Sequence, residues 1–152
     1  MLEQELLDGR PVASLPGAAL QTRSRIIVAL GTDRTRYTSA QSLQTFTGIA
    51  PVTSQSGNTR IVSYRWVCPK FHKQTFHEYA GLSTTKSKWA KAYYDMMLLR
   101  GKKPQMARRA LAYKWQRIIY RCWQDSVPND ESHHLARLRE TNSPLLAFMD
   151  AN

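Results

Sequence analysis

The stretch SKWAKAYYDMMLLRGKKPQMARRALAYKWQRIIYRCW, residues 87–123, decides the fold. Apolar side chains recur every three or four positions on both sides of Gly101, as in two amphipathic helices. Ser87 suits the start of the first helix, Gly101 its end, and Pro104 the first turn of the second. The sequence therefore predicts a long antiparallel helical hairpin. Three tryptophans on the apolar faces are predicted to be core residues rather than stacking platforms: Trp89, Trp115 and Trp123.

The charge of the chain is strongly positive and unevenly placed. Lys and Arg number 22 against 11 Asp and Glu, giving a formal net charge of +11. From Arg60 to Arg121 there are fifteen basic residues and only two acids, Glu78 and Asp95, so this segment carries +13 and the rest of the chain −2. Such a segment predicts a polyanionic partner, nucleic acid above all. A merely solvated basic surface is the alternative interpretation.

Specific basic residues of this segment are candidate phosphate ligands. On the second helix of the hairpin most of them fall away from the apolar stripe, which predicts a cationic face. Gly17 joins them because a hairpin glycine lets backbone N–H groups approach a phosphate. The predicted nucleic-acid-binding residues are Gly17, Arg60, Lys102, Lys103, Arg108, Arg109, Lys114, Arg117 and Arg121.

A Pro-Gly turn at Pro16-Gly17 precedes a predicted helix that ends at Gly31. A helix, a tight turn and a second helix form the helix-hairpin-helix pattern, which binds phosphate through the second helix's N-terminus. Ala19 occupies the place of the pattern's second glycine, so the motif is degenerate. Either a phosphate site or an ordinary corner between two helices fits these residues.

The other elements are shorter. Thr38 or Ser39 can cap a helix that stops at Gly48, and residues 49–60 read as an exposed polar loop. Residues 61–67 read as a short strand or an extended loop with a buried Trp66. Helices are predicted from Lys70 to about residue 85 and over residues 131–140. The expected fold is mainly α: a small helical domain with a degenerate helix-hairpin-helix, a Ser/Gly loop and the long helical hairpin. The expected divisions are a linker-helix remnant (1–11), the domain (12–124) and a loosely packed tail (125–152).

Metal and membrane sites find no support in the sequence. Cys68 and Cys122 form no CxxC pair, and His133 with His134 supplies no zinc ligand set, so no metal ligand is predicted in this chain. No apolar run approaches the roughly 20 residues of a membrane span, and the acidic first residues do not resemble a secretory signal. A bacterial cytoplasmic, nucleoid-associated protein with no membrane partner is expected.

Several motifs, taken in order, resemble one known family over residues from about 12 to 124. The chain is similar to the C-terminal transposase domain of the bridge-RNA-guided insertion-sequence recombinases, the insertion-sequence one-ten family. The motifs are Leu15-Pro16-Gly17, Phe46-Thr47-Gly48-Ile49-Ala50-Pro51, Gln55-Ser56-Gly57, Trp66-Val67-Cys68-Pro69, Phe76-His77-Glu78-Tyr79-Ala80, Trp89-Ala90-Lys91-Ala92-Tyr93-Tyr94, Arg109-Ala110-Leu111-Ala112-Tyr113-Lys114-Trp115 and Arg121-Cys122-Trp123.

The resemblance implies a function in DNA transposition and a division of labour between two domains. In the family, an N-terminal DEDD domain holds acidic residues with a divalent metal, and the C-terminal domain contributes a serine that attacks DNA. Carried over by motif, that serine is Ser56, with Ser54 as the runner-up, and Arg60 is a candidate clamp for the attacked phosphate. The implied partners are DNA, a structured guide RNA, the acidic domain in trans and further copies in a homo-oligomer. Without the family match, Ser56-Gly57 reads as a simple turn.

This chain departs from the family in its acidic residues. Asp33, Glu78 and Asp95 are isolated, so no cofactor is predicted in this chain and Mg²⁺ is expected only with the missing acidic domain. The chain is therefore expected to be inactive alone, as a truncated or decayed product or a fragment of a longer frame. The alternative function is a non-catalytic basic module that binds DNA or RNA, and a purely structural domain is the third possibility.

Overall fold

The computed structural model describes residues 10–64 and 67–151, without the side chain of Tyr64. Residues 10–13 are helical, and most of the predicted linker-helix remnant, like Trp66, lies outside the described residues. The mainly helical fold is confirmed. Its elements are α1 (Leu20–Leu30), α2 (Ala40–Phe46), β1 (Pro51–Ser56), β2 (Thr59–Tyr64), α3 (Lys70–Ser83), α4 (Lys88–Leu99), α5 (Pro104–Asp125), α6 (Glu131–Glu140) and α7 (Leu145–Asp150).

The predicted helical hairpin is confirmed as α4 and α5. Ser87 caps α4 by accepting a hydrogen bond from the backbone N–H of Ala90, Gly101 turns the chain with φ +85°, and Pro104 occupies the first turn of α5. The two helices run antiparallel, so the start of α4 meets the middle of α5, where the rings of Trp89 and Trp115 lie 4.6 Å apart. The three tryptophans are buried, as predicted.

The core is built where α3 packs along α5. The indole N–H of Trp115 donates to Ser83 Oγ at 2.8 Å, and the ring of Tyr79 meets the ring of Trp115 edge-on at 5.3 Å. The buried indole N–H of Trp115 therefore has a partner, as a close-packed interior requires. Because His77 lies near Gln105 and Ser83 near Trp115, α3 and α5 run in the same direction and begin at the same end of the molecule.

The predicted Pro-Gly turn and the helix after it are present. Gly17 has φ +80°, and a Cβ at this position would lie 2.8 Å from the carbonyl oxygen of Leu82. The turn therefore needs glycine both for its backbone angle and for its close approach to the end of α3. α1 ends where Gly31 adopts φ +78°, as predicted.

The segment predicted as an exposed polar loop is a β-hairpin. β1 and β2 pair antiparallel from Pro51↔Tyr64 to Ser56↔Thr59, and a two-residue turn, Gly57-Asn58, joins them. The predicted exposure is confirmed for most of residues 51–60 but was wrong for Ile49, which is buried, and the loop prediction was wrong for residues 51–56 and 59–60. Serine and threonine were taken as loop formers, whereas Gly-Asn between two extended runs is a hairpin signal. The described part of the hairpin packs mainly on itself.

The chain after α5 attaches to the helical hairpin. α6 spans the predicted residues, with Asp130 accepting from the backbone N–H of His133 as its cap. Ser87 donates a hydrogen bond to a carboxylate oxygen of Glu131, and Leu145 at the start of α7 is buried in the main core. Residues beyond 124 therefore help to form the surface beside α5.

Candidate nucleic-acid interface

A groove of about 840 Å³ runs along α5 and is closed on one side by the segment that leads into α6. Four cations of α5 line it: Arg109, and three spaced for one side of a helix, Lys114, Arg117 and Arg121. Arg137 of α6 adds a fifth cation from the opposite wall. Asp130 is the acid among the lining residues, and its carboxylate is engaged as the cap of α6. The groove is therefore strongly positive.

The second wall of the groove rests on an aromatic contact. The imidazole of His134 lies 4.7 Å from the ring of Trp89, and the ammonium of Lys114 lies 4.9 Å from the ring of Tyr93. These contacts join both His134 of α6 and Lys114 of α5 to the same helix, α4. The ammonium of Lys114 is thus positioned by a packed ring.

The pKa values of two groove residues are lowered by burial first and then by the positive charges around them. The pKa of Lys114 is lowered because its ammonium group is partly desolvated and lies near Arg117. The pKa of His134 is lowered by burial first, and then by Lys114, Arg137 and His133. Both shifts disfavour additional positive charge, so a bound anion would relieve them.

Arg109 connects the groove to the base of the β-hairpin. Its guanidinium donates to the carbonyl oxygen of Gly48 at 3.2 Å, and the amide of Gln44 donates to the carbonyl oxygen of Tyr113 at 2.7 Å. Ile49, two residues before β1, and Pro51, the first residue of β1, line the same groove. The hairpin therefore rises from the edge of the cationic surface.

Arg108 is not part of the cationic face to which the sequence interpretation assigned it. It stands in the same helical row as the buried Leu111 and Trp115, three and seven positions later. Its guanidinium lies against α3, where a Cβ on Gly81 would come within 3.0 Å of Arg108 Nε. The row of apolar residues that follows Arg108 was the signal for this placement.

The two candidate serines lie on one exposed face of the β-hairpin. Cross-strand partners share a face, and Ser56 pairs with Thr59 while Ser54 pairs with Ile61. Ser54 and Ser56 are both exposed, and Gly57 next to them has φ +57° with open space around it. The geometry does not choose between the two hydroxyls.

Arg60 does not stand beside Ser56. It pairs with Gln55, and side chains alternate between the faces of a strand, so Arg60 belongs to the opposite face of the hairpin. The predicted clamp between Arg60 and the phosphate at Ser56 is therefore not supported by the register. Arg60 remains a candidate contact for nucleic acid on its own face.

The remaining predicted residues lie away from the groove. Lys102 and Lys103 are exposed in the turn between α4 and α5, at the end opposite to Arg121. Gly17 faces the end of α3. That these three residues contact nucleic acid stays a prediction, and their positions are separate from the groove.

The described residues do not fit a magnesium site. In residues 10–64 and 67–151 no three His, Cys, Asp or Glu side chains stand together as potential metal ligands. The acids predicted to be isolated have other partners: Arg25 and Gln74 bind Glu78, and Lys91 binds Asp95. Within the same part of the chain, every helix is too short or too polar to cross a lipid bilayer.

Sequence reasoning missed the groove residues that follow position 124. Arg137 and His134 lie in a segment of mixed charge that carried no sign of an anion site. Their place beside α5 depends on the Trp89–His134 and Ser87–Glu131 contacts. Asp130, before α6, belongs to a residue type that caps helices, so its local meaning concerns the helix rather than the groove.

Comparison with known proteins identifies relatives of the chain. Residues 9–95, more than half of the chain, match the transposase family IS116/IS110/IS902. A Streptomyces coelicolor protein named as the mini-circle transposase for IS117 is 27% identical over 135 residues, which cover 89% of this chain and 33% of that protein. The chain thus spans about a third of the length of this curated relative. With its predicted motifs and helical fold, the chain belongs to the IS116/IS110/IS902 family of transposases.

Proposed function

We propose that this chain is the nucleic-acid-binding part of a transposase and that the groove along α5 holds a phosphodiester backbone during DNA transposition. The observation that carries the proposal is the convergence of Lys114, Arg117, Arg121 and Arg137 on one groove in which the acid, Asp130, is engaged as a helix cap. With Arg109, five cations line this groove, and such a cluster matches a polyanion and releases its counterions on binding.

The groove contacts phosphate rather than base edges. Lys114, Arg117 and Arg121 come from successive turns of one helix, so they follow a backbone that runs along α5. Arginine binds phosphate through two parallel N–H donors, and lysine acts as a point charge. We expect affinity with little sequence preference from these residues, because phosphate contacts carry no direct sequence information.

A salt titration tests the groove. DNA binding is measured at increasing salt for the natural chain and two triple variants. The groove variant carries Lys114→Ala, Arg117→Ala and Arg121→Ala. The control variant removes three exposed cations outside the groove: Lys86→Ala, Lys88→Ala and Arg139→Ala. Log affinity falls as log salt rises, and removing three phosphate contacts should make this negative slope shallower by about 3, at roughly 0.9 per contact. Equal slopes for the groove variant and the control variant would contradict a groove-specific site.

We further propose that Ser56, or Ser54 beside it, is the nucleophile of strand exchange. In this step the serine Oγ attacks phosphorus, an Oγ–P bond forms, and the bond from phosphorus to the leaving sugar oxygen breaks. A carboxylate of the acidic partner domain accepts the serine proton, and the leaving oxygen takes up a proton. The phosphoserine link retains the bond energy for rejoining. The position of the exposed hairpin beside a cationic groove supports this role of the serine.

Trapping of the covalent adduct tests the serine. The chain is incubated with the acidic domain of a full-length relative, Mg²⁺, guide RNA and end-labelled DNA, and protein-linked label is measured for Ser56→Ala and Ser54→Ala. We expect loss of the adduct in one variant while DNA affinity stays within about twofold, since a hydroxyl contributes little to phosphate binding. An adduct that survives in both variants would rule out these serines.

A non-catalytic binding module is the second candidate function. It is favoured by the exposed serine face, where neither Ser54 nor Ser56 pairs across the strands with an acid or a histidine. Phosphate contacts suit DNA and RNA alike, so a structured guide RNA is a possible occupant of the same groove. Competition between labelled DNA and unlabelled structured RNA distinguishes a shared groove from separate sites.

A further inference from the structure

A second cavity, of about 370 Å³, lies at the end of the molecule where α3 and α5 begin. α3 contributes Lys70, Lys73 and His77 to its lining. α5 contributes Gln105, Met106 and Arg109. Arg109 also lines the groove along α5 and stands between the two spaces. The other lining residues of this second cavity, including Gln74, do not line the groove.

The charge of this cavity is uncompensated by its own lining. Lys70, Lys73 and Arg109 are cations, and none of the described lining residues is an acid. The acid next to His77 in sequence, Glu78, is paired with Arg25 and accepts a hydrogen bond from Gln74 at 2.8 Å. Its negative charge is therefore already engaged.

Two helix N-termini add to the positive potential. α3 starts after Pro69 and α5 after Lys103, and neither helix has a side-chain cap or an acid in its first turn. The N-terminus of a helix carries a partial positive charge and unpaired backbone N–H groups, which favour anions. Because both helices begin beside one cavity, their fields add to the charges of its lysines and arginine.

The pKa of His77 is lowered in this environment. The imidazole is half-buried, and its pKa is lowered by burial first, although a hydrogen bond with the Gln105 backbone acts in the opposite direction. The positive charges of Arg108, Arg109 and Lys73 lower the pKa further. An anion in the cavity would favour the imidazolium form and reverse these electrostatic effects.

We propose that this cavity is a binding site for a phosphate group, held by the side chains of Lys70, Lys73 and Arg109 with His77 as an additional hydrogen-bond donor. The site shares Arg109 with the groove along α5, but Lys70, Lys73 and His77 lie outside that groove, and the proposal does not depend on the function proposed for the groove. A free phosphate and a phosphate of a nucleic-acid backbone offer the same tetrahedral oxygens, so both are possible sources of the ligand.

The proposal is tested by following the imidazole of His77 by NMR as a function of pH. Inorganic sulfate serves as the probe because it is a tetrahedral dianion whose charge is constant in this range, and sodium chloride at equal ionic strength is the reference. Sulfate should raise the pKa of His77 by about one unit, equivalent to about tenfold tighter anion binding to the protonated form. His72, which contacts Phe46 and lies outside the cavity, should not respond.

Matched variants locate the response. The double variant Lys70→Gln, Lys73→Gln should lose most of the shift, whereas Lys86→Gln, Lys88→Gln removes the same charge elsewhere and should keep it. The triple groove variant should also keep it, which separates this site from the groove. A His77 pKa that sulfate moves no more than chloride does, or an equal response in the two lysine variants, would overturn the proposal.

The source of the phosphate is settled by comparing ligands at constant pH. A single-stranded DNA oligonucleotide that moves the His77 signals at micromolar concentration, where inorganic phosphate requires millimolar concentration, supports a backbone phosphate. Inorganic phosphate that moves them while the oligonucleotide does not supports a free phosphate. Failure of both ligands to move His77 would contradict the site.

Discussion

The two sides of α5 use the same residue types for different purposes. On the side that packs against α3, Arg108 covers Gly81 in line with the buried Leu111 and Trp115. On the groove side, Arg117 and Arg121 are exposed and face the segment that leads into α6. A guanidinium above a glycine contributes packing by its stem, whereas one in an open groove remains available for a ligand. Charge alone does not reveal which of these roles an arginine has.

The largest expected effect lies on the packed side. Trp115→Ala should destabilise the protein by about 3–5 kcal/mol, because it removes a fully buried ring and leaves Ser83 without its indole donor. Thermal and urea unfolding measure this loss. A cost below about 1 kcal/mol would mean that α3 and α5 are not joined through this ring.

Two single variants on α5 compare its sides directly. Arg117→Ala should weaken DNA binding about tenfold with little change in the free energy of unfolding, since one charge-assisted phosphate contact is lost. Arg108→Ala should have the reverse profile: about 1 kcal/mol less stability, from lost packing over Gly81, and DNA affinity changed by less than about threefold. Binding isotherms and unfolding curves on the same preparations provide both values. Equal binding losses would contradict the separation of the two sides.

The smallest expected effect is a dependence of stability on pH. His77 near the packed side and His134 at the groove both have a pKa below the ordinary value of 6.5. The unfolded chain therefore binds protons first, so the contribution of these residues to stability is complete above that ordinary pKa. It is lost as the pH falls through that value toward the lower folded pKa values.

Unfolding curves at pH 7.5 and 5.5 measure this effect, with His134→Gln as the comparison. Carboxylates also titrate toward low pH, but they do so in both proteins. The variant should therefore lose less stability than the natural chain over this interval. An identical loss in the two proteins would show that His134 titrates alike in the folded and unfolded states.

The helices were predictable because their signals are local. Ser87, Gly101, Pro104 and the apolar spacing fix α4 and α5 without reference to the rest of the chain. The β-hairpin was predicted less well, since its polar strands are defined by pairing with each other. The Gly57-Asn58 dipeptide was the available local signal.

The candidate site was predictable only in part. Periodicity assigned Lys114, Arg117 and Arg121 to one side of α5, but it did not supply the opposite wall with Arg137. Strand register separated Arg60 from Ser56, although the two lie four positions apart in sequence. Spacing in a chain gives proximity along the backbone, and the face of the strand decides which side chains meet.

By itself the sequence determined the helical hairpin, its buried tryptophans, the excess of positive charge and the family, because periodicity, capping, composition and ordered motifs are all written in local residues. Tertiary structure alone decided which arginines are structural and which line the groove. It also decided that α3 and α5 begin beside one cationic cavity. The physical reason is that packing between distant segments sets which side chains lose contact with water. That burial decides whether a charged side chain contributes packing or is available to a ligand.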